Sequence, residues 1–272
     1  MKLAISNLAW ELEHDAAVRE IFVEHGVRGV ELAPTKVFAD PLAASEQELQ
    51  DYRATWTDDD IEVIALQALL FGKPELTLFD DDARREQTLE HLGGMARVGA
   101  ALGARTLVFG SPKNRRIGDQ PRDEAMAIAV SFFQRAGSLA EGHGVVLCIE
   151  PNPTAYGCDF ITTSTEGLEL VQAVDHPGFG LHLDAAGLTL SEENVDDAIP
   201  RCGASIRHFH ASEPELGALG EGGVDHARIT AALRGIGYDR WVSVEMRRDP
   251  ARDTARELRR VAKFLGQHYG RL

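Results

Sequence analysis

Eight short runs of apolar and β-branched residues recur along the chain, and each is followed by a longer stretch whose apolar residues fall at helical spacing. The runs cover residues 3–8, 29–32, 62–67, 106–110, 145–150, 179–184, 206–210 and 241–245. Their starts lie about 25 to 45 residues apart, the length that one strand–helix unit occupies. A strand–helix repeat runs its strands parallel and buries both faces of the sheet. Eight such units, with no Pro-, Gly- or Ser-rich linker between them, predict one α/β domain over residues 1–272, a closed (β/α)8 TIM barrel. An open doubly wound sheet is the competing arrangement. The GxGxxG that its commonest dinucleotide-binding form places after the first strand is absent.

Helix boundaries support the repeat. The periodic stretch 82–102 stops at Gly103, 124–141 stops at Gly142, and 229–236 stops at Gly237, each glycine suiting a helix C-terminus. Ser164 precedes the stretch 165–174, and Pro177 follows it.

Composition narrows the function classes. The 272 residues include 28 Lys and Arg against 43 Asp and Glu, a formal charge of −15. Such a chain repels a phosphate backbone, so nucleic acid is excluded as a general partner. No apolar run approaches the roughly 18 residues of a membrane span, so no membrane role is expected. The opening MKLAISNLAW reads as a buried strand rather than a leader. Cys148, Cys158 and Cys202 are odd in number and form no CxxC pair, which argues against a disulfide framework and for a cytoplasmic location.

The last four runs each end in a residue able to ligate a metal. VVLCIE ends at Glu150, GLHLD at Asp184, IRHFH at His210 and WVSVE at Glu245. In a parallel barrel these ends converge on one face, with neighbouring strands about 4.8 Å apart. A single acidic strand end is ordinarily a helix cap or a solvated residue. Four in succession crowd several carboxylates together, which is costly unless a cation or protons compensate. Three carboxylates and one imidazole form a hard donor set, favouring one Mn²⁺, with Mg²⁺ or Co²⁺ as alternatives, over Zn²⁺. Strand alternation then points Cys148, His182, His208 and Ser243 inward beneath the ligands. His182 and His208 are the candidates for orienting the metal-bound groups. Cys148 reads as core.

At these strand ends the chain resembles the xylose-isomerase-like barrel superfamily. More narrowly it is similar to the sugar-phosphate isomerase/epimerase group that includes D-tagatose 3-epimerase, hydroxypyruvate isomerase and inosose dehydratase. The segments that carry the resemblance are GVVLCIEPN (144–152), GLHLD (180–184), HFH (208–210) and IGYDRWVSVE (236–245), with ligand spacings of 34, 26 and 35 residues. The resemblance implies a divalent ion on the four named residues, a sugar or sugar-phosphate substrate, and a homodimer or homotetramer. Three features depart from the ketose 3-epimerase pattern. The His expected three residues after the strand-six Asp is Gly187. The loop 211–223 lacks the expected Arg. A second Glu beyond the strand-five ligand is replaced by Tyr156.

A divalent ion that chelates adjacent carbonyl and hydroxyl oxygens stabilises an enediolate and acidifies the intervening C–H. Glu150 and Glu245, flanking the ion, are the expected catalytic proton carriers, giving epimerisation or aldose–ketose isomerisation. Loss of a β-hydroxyl would instead make a dehydratase, and a non-catalytic metal-stabilised binding barrel is the third alternative. Substrate contacts are expected from Lys113 and Arg115 in GSPKNRR (110–116), which could clamp a phosphate or carboxylate, and from Lys36, Gln67, Asn152, Tyr156 and Arg247. Asn7, Trp10 and Glu213 are further wall candidates. An endonuclease IV-type barrel needs three zinc ions and ligands from early strands. The early ends offer Leu8, Leu32, Gln67 and Gly110, with no His.

Overall fold

The computed structural model describes residues 1–270. Eight parallel strands close in sequence order, each paired with its neighbours and the eighth with the first. They are β1 (Lys2–Ser6), β2 (Gly29–Leu32), β3 (Glu62–Leu66), β4 (Thr106–Phe109), β5 (Val146–Ile149), β6 (Phe179–Asp184), β7 (Ile206–Ser212) and β8 (Trp241–Glu245). The strands are short and apolar because barrel packing covers both their faces, and every residue of β2 and β6 is buried.

The outer helices are α1 (Asp15–His25), α2 (Glu46–Thr57), α3 (Asp82–Leu102), α4 (Arg122–Gly142), α5 (Ser164–Val174), α6 (Ala185–Leu190), α7 (Val195–Cys202), α8 (His226–Gly235) and α9 (Thr254–Tyr269). Their ends follow local chemistry. Asp81 accepts from the Arg84 N–H to start α3, and Gly103 stops it at φ +95°, a left-handed conformation that favours glycine. In α9 the buried residues Leu258, Val261, Ala262 and Leu265 recur at the 3.6-residue period. Trp10, Phe22 and Trp56 pack together under the first two units with ring centroids 5.7–6.2 Å apart. Among the described residues no helix is long and apolar enough to cross a membrane.

Several strands end one residue short of the sequence expectation, and three differences are larger. β1 stops at Ser6, not 8, because the Ser6 hydroxyl accepts from the Leu8 N–H and starts a 3-10 turn over Asn7–Ala9. β7 runs two residues beyond His210. The extra helix α6 follows β6 directly, capped by Asp184, which accepts from the Gly187 N–H.

Candidate metal centre

β6 and β8 end at Asp184 and Glu245, Glu150 follows β5 directly, and His210 lies two residues before the end of β7. The pairing register sets Asp184 beside His210 and Ser212 beside Glu245. One donor atom from each of Glu150, Asp184, His210 and Glu245 lies within 4.8 Å of the other three. Together they form the floor of two adjoining cavities at the strand ends, of about 360 and 440 Å³. Glu150, Glu245 and Arg247 border both cavities.

The electrostatics of the cluster are those of crowded, buried carboxylates. Burial, then the neighbouring Glu245 and Asp184, push the Glu150 carboxyl up to about 8. Burial and Glu245 push Asp184 up to about 6. The His210 Nδ1 is buried and has no hydrogen-bond partner, although the Glu245 Oε2 stands 3.3 Å away. A lone buried nitrogen aimed into three crowded carboxylates fits a divalent cation, so the donor set and the orphaned atom agree. The three-carboxylate, one-imidazole composition is that of a hard-ion site.

Neighbouring residues fix the donors. The Ser212 hydroxyl donates to Asp184 Oδ2. Gln67 Nε2 donates to Glu245 Oε1 at 2.8 Å. Gly110, at the end of the β4 run, makes room for Glu150, since a Cβ there would fall 1.9 Å from Glu150 Oε2. Beneath the ligands, His182, His208, Cys148 and Ser243 are fully or almost fully buried. His182 Nε2 is 3.7 Å from Glu150 Oε1, and neither of its ring nitrogens has a hydrogen-bond partner. Burial pushes the Cys148 thiol up to about 12, so it is not a nucleophile near neutrality.

His208 turns to a residue the sequence reading passed over. Glu31, in the middle of β2, is fully buried and accepts from His208 Nε2 at 3.1 Å and from His210 Nε2 at 3.0 Å. Burial alone would raise the Glu31 carboxyl, but His210 and His208 beside it hold it well below the usual carboxylate range. Its signal was present in GVEL, a glutamate inside an apolar strand, one residue before the strand end.

The expected substrate residues divide into two groups. Gln67, Asn152, Tyr156 and Arg247 line the cavities. Tyr156 accepts from the Glu215 N–H through its hydroxyl oxygen, and the exposed Arg247 side chain has no hydrogen bond or ion pair among the described residues. Lys36, Lys113 and Arg115 do not line these cavities. Lys36 donates to the Trp10 carbonyl and approaches Glu11. Lys113 is exposed.

Arg115 corrects the expectation of a phosphate clamp. It is wholly buried and donates to the carbonyls of Phe109, Glu150 and Phe160 and to Asn152 Oδ1. Pro112 begins a 3-10 turn over Pro112–Arg115, and the guanidinium at its end satisfies strand-end carbonyls. Of the wall candidates, Asn7 accepts from the Ala33 N–H and Trp10 is core. Glu213 borders the larger cavity, but its carboxylate accepts from the N–H groups of Gly220 and Val224 and contacts His226, holding the loop after β7.

A model of the xylose isomerase-like TIM barrel family matches residues 20–267. The chain belongs to that family. Among curated proteins, an L-ribulose 3-epimerase of Methylomonas sp. (strain DH-1) is 30% identical over 115 residues, 42% of this chain and 40% of the relative. The match thus spans about two-fifths of that relative's length. A crystal structure of D-psicose 3-epimerase in the presence of D-fructose superposes with a TM-score of 0.84 at 21% identity, covering 100% of both chains. The IolI protein with a bound zinc atom superposes with a TM-score of 0.76 at 22% identity, again over 100% of both. At such identities the two structures speak for the barrel alone.

Proposed function

We propose that the protein is a divalent-metal-dependent sugar or sugar-phosphate isomerase/epimerase that moves a proton on a carbon next to a substrate carbonyl. The observation that carries this reading is the pairing of two cavity-floor carboxylates, Glu150 and Glu245, with Asp184 and His210 in one donor cluster. Glu150, Asp184, His210 and Glu245 would hold the ion, which when bound supplies charge stabilisation to an oxygen of the substrate. A hard set of this kind makes Mn²⁺ the first ion to test, with the IolI zinc site keeping zinc in the comparison.

Each glutamate has two oxygens, so one is left for proton transfer. Glu150 stands beside Gly110, and Gln67 orients Glu245. A proton taken by one carboxylate and returned by the other to the opposite face of the same carbon inverts that carbon. A proton taken and returned on one face to the adjacent carbon interconverts aldose and ketose. Epimerase names among the relatives, L-ribulose and D-psicose 3-epimerases, favour the first outcome. Arg247 is the cationic side chain of the cavity walls and would receive the phosphate, carboxylate or hydroxyl end of the substrate, with Asn152 and Tyr156 on the facing wall. The three cysteines are buried and free, which suits the cytoplasm.

The test is solvent deuterium exchange with Mn²⁺ added, across free and phosphorylated ketoses, inososes and hydroxypyruvate. Deuterium incorporation next to the carbonyl of at least one of these is the expected result. No exchange in any of them, from protein shown to hold a divalent ion, would transfer the site to a binding role.

A further inference from the structure

We propose that Glu31 is the positioning residue of the metal centre: from β2 it holds the ring proton of His210 on Nε2 and so leaves Nδ1 as a bare donor. The proposal rests on the metal reading of Glu150, Asp184, His210 and Glu245 and says nothing about which sugar is turned over.

An ionised carboxylate has no proton to give, so a ring nitrogen at hydrogen-bond distance from it must carry one. Glu31 Oε2 lies 3.0 Å from His210 Nε2 and 3.1 Å from His208 Nε2, and its Oε1 is 3.1 Å from His210 Nε2. Both rings therefore point N–H groups at one fully buried carboxylate. That arrangement explains how a charge survives inside the barrel, since the two donors replace the water it has lost. It also fixes the far side of the His210 ring. With one proton held on Nε2, Nδ1 is the ring position left for a cation to take, the buried atom that lacks a hydrogen-bond partner and stands 3.3 Å from Glu245 Oε2. A carboxylate behind a ligating imidazole raises its basicity and locks its orientation. The strand pairing makes the device rigid: Glu31 is registered with Ser6 on β1 and Ala65 on β3, and His208 with His182 on β6.

A packing role and a positioning role make opposite predictions for Glu31→Gln. Glutamine has the same shape, so a residue that only filled the barrel would tolerate it. Its amide, however, has an NH₂ on one side. That group turned toward His210 would require the ring proton to move to Nδ1 and block the donor. Calorimetric titration of metal-free protein with Mn²⁺ is expected to show about 10- to 100-fold weaker binding for Glu31→Gln, with a smaller loss for Glu31→Asp, which keeps the charge and withdraws it by one methylene. Mn²⁺ affinity of Glu31→Gln within twofold of wild type, in a variant of unchanged thermal midpoint, overturns the proposal. Should Glu31→Gln fail to fold, the wild type decides. Long-range ¹H–¹⁵N correlation of the Mg²⁺-loaded protein is expected to find the His210 proton on Nε2, and a proton on Nδ1 overturns the assignment. Neither measurement requires turnover, so an absence of sugar chemistry would count against the function proposed above and leave Glu31 untouched.

Discussion

The C-terminal ends of β5–β8 and of β1–β4 face the same cavities with different chemistry. The late half provides Glu150, Asp184, His210 and Glu245 in one cluster. The early half provides no member of that cluster but bears on three of them. Glu31 on β2 holds His210, Gln67 after β3 holds Glu245, and Gly110 after β4 yields the volume that Glu150 occupies. Arg115, from the turn after β4, donates to the backbone carbonyl of Glu150. The lesson is a separation of tasks. Donor atoms come from neighbouring strands because only they are close enough to share an ion, and two of them, His210 and Glu245, are oriented from strands farther round the barrel.

That separation can be broken residue by residue. The largest effect is expected from Gly110→Ala, whose Cβ would occupy the Glu150 carboxylate position and displace a donor by about an ångström. Turnover should fall about 100-fold, measured as kcat on whichever sugar shows deuterium exchange. Next comes the metal-free protein, in which the carboxylates repel. Below their ordinary values both the folded and unfolded chains hold the Glu150 and Asp184 protons, and stability is unaffected. As pH rises, the unfolded chain releases them first while the folded chain retains them up to about 6 at Asp184 and about 8 at Glu150, so folded stability declines through that window. Thermal melts of chelator-treated protein should therefore show a midpoint falling from pH 5 to 8, on the order of the window set by these shifts, and added Mn²⁺ should flatten the slope. Gln67→Leu removes the donor to Glu245 and should cost about tenfold in Mn²⁺ affinity by titration. The smallest effect belongs to Lys113→Ala. The side chain is exposed and stands outside the walls of both cavities, so kcat/KM should change less than about twofold.

The fold was legible because eight apolar runs at barrel spacing leave few ways to bury every strand on both faces. The ligands were legible for a related reason: a charged residue that terminates an apolar strand marks where the strand meets the cavity. Glu31 carries no such mark, because it lies within its strand and the register with β3 shifts at Val30/Glu31. Facing across the barrel depends on tilt and register, and neither is written in one strand alone. Arg115 was misread for a complementary reason. Sequence gives the charges of GSPKNRR but not the turn that sends one of them inward, and the carbonyls it satisfies belong to residues up to 45 positions away. The helix α6 was missed because its cap, Asp184, already had a reason to stand at that position.

The central claim is that four strand-end residues act together on one divalent ion, and metal content tests it most directly. Elemental analysis of wild type and of the Glu150→Gln, Glu245→Gln double variant, each purified with Mn²⁺ present and checked for folding by circular dichroism, compares like with like. The account predicts about one ion per chain in the wild type and a folded double variant that has lost most of it. A folded double variant that retains the full wild-type complement would contradict it.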